Sequence, residues 1–109
     1  MTIIKGSDAQ ARITVYLDPD LEDIVPGFLE NRRKDVETIT SCVEKNDLAT
    51  IRILGHRMKG DGGGYGFDSI STIGEVLEQA ALRRDHATIR ERINELANFL
   101  RRVEVVYKR

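Results

Sequence analysis

Apolar residues recur every three or four positions along most of the chain, the spacing typical of one face of an α-helix. The first stripe begins behind Asp18, an N-cap residue followed by proline, and extends to about Asn46. Pro26 is predicted to divide this stripe into a short N-terminal helix and a longer one. Three further stripes each follow an aspartate that can cap a helix, namely Asp47, Asp68 and Asp85.

Short linkers between consecutive helices favour antiparallel neighbours, so the pattern predicts an all-α, up-down antiparallel four-helix bundle led by a short N-terminal helix. The last helix is expected to include Val103 and Val106 as inward-facing positions. Residues 13–17 alternate apolar and polar side chains, which predicts an extended strip without a sheet partner. We therefore expect an N-terminal extension at 1–17, partly extended or flexible and frayed before about Ala11, and one bundle at 18–109.

The composition and charge of the chain exclude some classes of partner. The 109 residues carry 17 Lys and Arg against 18 Asp and Glu, and neither half has a basic excess. Nucleic acid and anionic membranes are therefore not expected partners. No apolar run approaches a membrane span, the N-terminus does not resemble a secretory signal, and the one cysteine, Cys42, reads as a buried small side chain. We expect a cytoplasmic, monomeric domain.

One segment does not fit an ordinary bundle. Positions 60–66 hold five glycines while the apolar period stays helical. Each glycine inside a helix costs about 0.5 to 1 kcal/mol relative to alanine, so either the helix ends here or another interaction offsets the cost. At about 100° per residue, His56 points away from the buried stripe, with Lys59 beside it and Asp61 on the opposite flank.

This exposed face suits a nucleophile that handles an anion. A neutral imidazole keeps one free lone pair, and Lys59 supplies a point charge of the kind that suits phosphate. Arg52 lies on the same face, one turn before His56. The missing side chains of Gly60, Gly63 and Gly64 would let another protein's active site approach the imidazole. We therefore predict His56 and Lys59 as catalytic, with Arg52 and these glycines as a docking face.

The run His56-Arg-Met-Lys59-Gly60, followed by small residues and Gly66, resembles the H-x-x-K-G signature of histidine-containing phosphotransfer (HPt) domains. Phe28-Leu29, Asp47 and Leu77-Glu78 fall where that family places bundle residues, so the resemblance covers roughly residues 18–105. Gly55 departs from the alanine that often precedes the family's histidine.

The resemblance implies a phosphorelay intermediate of two-component signal transduction. His56 would accept a phosphoryl group from an aspartyl-phosphate on one response-regulator receiver domain and pass it to an aspartate on another. Lys59 would stabilise the phosphoryl group. A sensor or hybrid histidine kinase would stand upstream. The resemblance implies no ATP site, cofactor or metal in this chain, because the receiver domain contributes Mg²⁺ and most of the catalytic groups.

Other interpretations stay open. The bundle is alternatively a non-catalytic adaptor that binds a receiver domain, or the substrate domain of a histidine kinase. A metal site is not expected, because His56 and His86 lack the further ligands that zinc requires. A P-loop is disfavoured, because its lysine follows the glycines and a strand precedes it, whereas Lys59 precedes the run and no strand is predicted there. His86 follows the Asp85 cap and is interpreted as structural.

Overall fold

A computed structural model describes residues 11–108 of the chain. It is 74% helical and has four helices in one compact globule, which confirms the predicted four-helix bundle. The helices are α1 (Val25–Glu44), α2 (Leu48–Tyr65), α3 (Asp68–Leu82) and α4 (His86–Arg102), preceded by a 3₁₀ turn at Pro19–Leu21. Two short strands, β1 (Ile13–Leu17) and β2 (Val103–Tyr107), flank the helices at the two ends of the chain.

Two of the predicted caps begin helices as expected. The Asp47 carboxylate accepts the N–H of Thr50 at 3.2 Å and its hydroxyl at 2.7 Å, and Asp85 does the same with Thr88 at 3.1 and 2.7 Å. These hydrogen bonds satisfy backbone donors that the first turn of a helix leaves free. Asp18 accepts the N–H of Asp20 at the start of the 3₁₀ turn.

Two helix-start predictions were wrong. Asp68 is the first residue of α3, and Phe67 is its N-cap without a side-chain hydrogen bond. Phe67 is 1% exposed, so core packing rather than capping chemistry sets where this helix begins. Pro26 lies in the first turn of α1, where a missing N–H costs nothing, and does not divide two helices.

Three helices end with the same backbone motif. Residues Asn46, Gly66 and Arg84 have φ angles of +59°, +87° and +59°. In each case the following N–H donates to a carbonyl five residues back, as Phe67 does to Gly62 at 2.7 Å. This is the Schellman arrangement, and it turns the chain sharply into the next helix.

The two strands form a parallel ribbon that the sequence did not predict. Ile13 pairs with Val103, and the register continues to Leu17 and Tyr107. The expectations that α4 continues through Val103 and Val106 and that residues 13–17 have no sheet partner were therefore both wrong. Within residues 103–107, Val103 and Val105 follow the alternating spacing of a strand, whereas Val103 and Val106 follow the spacing of a helix. β-branched side chains favour the strand once a partner strand is present.

The ribbon faces the bundle with one side. Ile13 and Val15 of β1, with Val103, Val105 and Tyr107 of β2, pack against the helical core. The core itself is apolar and centred on aromatic contacts, with Phe67 stacked on Phe28 at 5.4 Å and meeting Phe99 edge-on at 6.5 Å. Cys42 is buried in it.

No helix within residues 11–108 is long and apolar enough to cross a membrane. The fraying expected before Ala11 falls outside the described residues.

Candidate functional site

The glycine-rich segment stays helical, and α2 continues through it to Tyr65. Part of the explanation lies in its packing against α3. A Cβ atom at Gly55 would lie 2.8 Å from the Glu78 nitrogen, and one at Gly62 would lie 2.6 Å from the Ser71 nitrogen. On the facing helix, a Cβ at Gly74 would lie 2.5 Å from the Lys59 nitrogen. These glycines let the two backbones approach closely, and the resulting contact offsets part of their helix cost.

A cross-helix hydrogen bond holds the same interface. The Ser71 hydroxyl on α3 donates to the carbonyl oxygen of Lys59 on α2 at 2.8 Å. Lys59 lies directly before the glycine run. The hydrogen bond therefore holds α3 against α2 at the point where α2 has the fewest side chains. The two helices therefore form a rigid platform beneath the exposed face of α2.

The remaining glycines of α2 have a different environment. A Cβ atom at Gly60 or Gly64 would meet nothing within 4 Å, and one at Gly63 would make only an ordinary contact of 3.7 Å with the Ser71 hydroxyl. All three positions are exposed. Internal packing within residues 11–108 therefore gives no reason for glycine here, although each one costs helix stability.

His56 stands on this exposed face of α2, with 71% of its side chain accessible. Its Nδ1 atom lies 3.1 Å from Oε2 of Glu78 on α3, whose side chain is only 16% exposed. A carboxylate can only accept, so the contact favours the tautomer in which Nδ1 carries the hydrogen. The Nε2 lone pair is then left facing solvent.

The charges around His56 are arranged asymmetrically. Lys59 and Arg52 are exposed on α2, and within residues 11–108 neither forms an ion pair. Asp61 lies on the other flank, 3.8 Å from Arg32 of α1. Arg32 also contacts Asp35 of α1. Burial raises the pKa of Asp35, although the positive charge of Arg32 lowers it. The carboxylate in contact with the imidazole is thus Glu78, while three exposed cations, Arg52, Arg57 and Lys59, lie along the same helix.

An apolar side chain also lies on this face. Ile53, three residues before His56, is 45% exposed. On a helix, residues three apart are neighbours, so Ile53 and the open glycines flank the imidazole along α2. The face therefore combines a free imidazole nitrogen, cationic groups, bare backbone and one exposed aliphatic side chain.

His86 has a different environment. Its Nε2 atom lies 2.8 Å from Oδ1 of Asn46, and its Nδ1 atom lies 3.2 Å from the carbonyl oxygen of Arg84. Asn46 and Arg84 are two of the positive-φ residues that end helices. His86 thus contacts the α1–α2 and α3–α4 turns through its two ring nitrogens.

No cluster of three or more His, Cys, Asp or Glu side chains able to hold a metal ion occurs in residues 11–108. Within residues 11–108, the one strand that precedes the glycine run is β1, and the 3₁₀ turn and α1 separate it from the run. The strand–loop–helix context of a P-loop is therefore missing from this part of the chain.

Sequence reasoning did not identify the role of Glu78 or Gly74. Glu78 appeared only as a bundle residue, because its contact with His56 depends on the register of α2 against α3. Gly74 gave an even weaker indication in the sequence, because it is an isolated glycine inside an apolar helix. Such a glycine usually has a packing reason. The exposure of Gly60, Gly63 and Gly64, by contrast, followed from the helical period.

Comparisons of the chain with protein-family models, with curated proteins and with solved structures found no match.

Proposed function

We propose that this chain is a phosphorelay intermediate, a phosphoprotein of HPt type. His56 accepts a phosphoryl group from a receiver-domain aspartyl-phosphate and passes it to another receiver aspartate. The observation that carries the proposal is the exposed imidazole whose Nδ1 is held 3.1 Å from the Glu78 carboxylate, with Nε2 open to solvent.

The transfer step follows from this geometry. The lone pair on Nε2 attacks the phosphorus, a P–N bond forms, and the bond between phosphorus and the aspartyl oxygen breaks as the carboxylate leaves. The imidazole ring gains positive charge, and its Nδ1–H donates to Glu78, which stabilises that charge. Because phosphoryl transfer depends on positioning and charge neutralisation, Lys59 acts on the phosphoryl oxygens. The receiver domain supplies Mg²⁺.

Docking uses the exposed face around His56. A receiver active site is concave and must bring its aspartate to Nε2, so side chains next to the imidazole would obstruct it. Gly60, Gly63 and Gly64 provide this clearance, since no packing contact among residues 11–108 requires glycine there. Arg52, which is exposed on the same face, would contact acidic groups at the rim of that active site. Because Ile53 is exposed beside His56, it offers apolar area to the partner.

The proposed partners are response-regulator receiver domains, with a sensor or hybrid histidine kinase as the ultimate phosphoryl source. Such relays operate in the cytoplasm. The single buried thiol of Cys42 is compatible with that reducing compartment. Within residues 11–108 no helix can cross a membrane.

The test is phosphoryl transfer from labelled, phosphorylated receiver domains to this chain. We expect acid-labile, alkali-stable label on the wild type and on His86→Gln, and none on His56→Gln. His86→Gln is the matched control, because it removes the chain's other histidine. Circular dichroism should show unchanged helicity in His56→Gln, since the imidazole is exposed and carries little packing.

Binding of receivers without any transfer would contradict the proposal and favour the non-catalytic adaptor. Label that arrives only from an ATP-loaded kinase domain, and never from a receiver, would instead identify the substrate domain of a histidine kinase.

A further inference from the structure

The terminal ribbon has an open edge on β2. Lys108 donates its N–H to the carbonyl oxygen of Leu17 at 2.9 Å. Together with the parallel register, this hydrogen bond determines which residues of β2 turn their backbone groups towards β1 and which turn them away. Glu104, Val106 and Lys108 therefore turn their backbone groups towards β1. Val105 and Tyr107 turn theirs outward, and in residues 11–108 the sheet contains no third strand to meet them.

An apolar groove follows this edge. It measures about 330 Å³ and lies between β2 and the start of α1, where Val25, Pro26, Leu29 and Arg33 line it. A strand added beside β2 would place every second side chain over the groove, while its backbone paired with the outward groups of Val105 and Tyr107. Main-chain pairing plus pockets for alternate side chains is the general mode of strand addition.

The sequence of β2 lacks the usual protection of an exposed edge. Val103-Glu-Val-Val-Tyr107 contains no proline, no glycine and a single charge. Natural edge strands of this kind are normally covered or interrupted. The edge is therefore suited to pairing with another strand.

The charge pattern of β2 fits a second copy of itself. In antiparallel pairing about a two-fold axis at Val106, Val105 lies opposite the partner's Tyr107, and both carry outward backbone groups. The same register sets Glu104 opposite the partner's Lys108, on the face where directly opposed side chains lie closest. The axis repeats this pair, so two complementary charge pairs flank the centre, with each Glu104 lying between Arg12 of its own chain, at 3.9 Å, and the partner's Lys108.

We infer that the chain forms a symmetric homodimer in which two β2 strands pair antiparallel and extend the ribbon to four strands. The edge of β1, at Thr14 and Tyr16, is not the contact, because the groove lies on the β2 side. This inference replaces the expectation of a monomer and does not depend on the proposed phosphotransfer. His56 lies on α2, and no residue of α2 lines the groove.

The test is the mass of the full chain by light scattering and sedimentation over a concentration series. We expect the mass to rise towards that of two chains. Val105→Pro removes an outward N–H from each copy but no ladder bond within the ribbon, so it should weaken association about tenfold or more. Thr14→Pro makes the same change on the β1 edge and should leave the dimer intact.

A charge exchange tests the register. Glu104→Lys should weaken the dimer, and adding Lys108→Glu to it should restore association. A dimer that persists in Val105→Pro with unchanged helicity would overturn the inference. A chain that stays monomeric at every concentration would also overturn it. Slow hydrogen exchange at Val105 and Tyr107 in such a monomer would show that the edge is covered within a single chain.

Discussion

The glycines between α2 and α3 should respond to substitution in opposite ways, depending on which side of the helix they occupy. In Gly74→Ala, the new methyl group would lie 2.5 Å from the backbone nitrogen of Lys59, 2.7 Å from the backbone oxygen of Gly55 and 2.9 Å from the Cβ atom of Met58. Two of these atoms are backbone, so no side-chain rotation can relieve the overlap. The two helices must move apart.

The expected magnitudes follow from two opposing effects. Overpacking a close contact costs about 1–3 kcal/mol, and exchanging glycine for alanine in a helix returns about 0.5–1 kcal/mol. Gly74→Ala should therefore lower the free energy of unfolding by about 1–2 kcal/mol. Gly60→Ala meets nothing within 4 Å and should raise it by about 0.5–1 kcal/mol.

Urea unfolding followed by circular dichroism measures both changes, with the two variants compared at the same pH and temperature. The gap between them should be about 2 kcal/mol, or roughly 8 °C in Tm. Equal stabilities, or a Gly74→Ala variant more stable than the wild type, would refute the close-packing explanation. Gly60→Leu separates clearance from packing, because it should leave the fold stable and yet slow phosphoryl transfer from a receiver.

Two further predictions concern Glu78 and Asp47. Glu78→Gln keeps a hydrogen-bond acceptor for His56 but removes the charge, so single-turnover transfer from a phosphorylated receiver should slow roughly tenfold at unchanged helicity; an unchanged rate would count against the orienting role. Hydrogen bonds from Thr50 lower the pKa of Asp47, so its carboxylate stabilises the fold above the unfolded pKa of about 3.9, and this stabilisation disappears as pH falls through the folded pKa. Asp47→Ala should therefore show a weaker loss of stability on acidification in urea titrations, whereas an identical pH profile would contradict the capping account.

Local chemistry made the helices predictable. Asp47 and Asp85 cap α2 and α4 as expected, because capping depends only on residues within one turn of the helix start. Asp68 was misassigned, since the nearby Phe67 is drawn into the core and begins the helix one residue earlier. At that position, burial of the Phe67 side chain therefore outweighed the capping propensity of Asp68.

The ribbon and the details of the site required long-range information. Val103 and Val106 fit a helical pattern, Val103 and Val105 fit an alternating one, and only pairing with β1, about 90 residues earlier, decides between them. The exposure of His56 followed from periodicity within α2. Its contact with Glu78 did not, because it depends on the antiparallel register of two helices that Gly55 and Gly74 bring close together.

The central claim is that Nε2 of His56 carries a phosphoryl group. The most direct measurement is ³¹P and ¹⁵N NMR of the full chain after transfer from a phosphorylated receiver, with His56→Gln as the control. The account predicts one phosphohistidine signal, assigned to Nε2 of His56, which is stable in alkali, lost in acid and missing from His56→Gln. Phosphate on Nδ1, on His86 or on no histidine at all would contradict it.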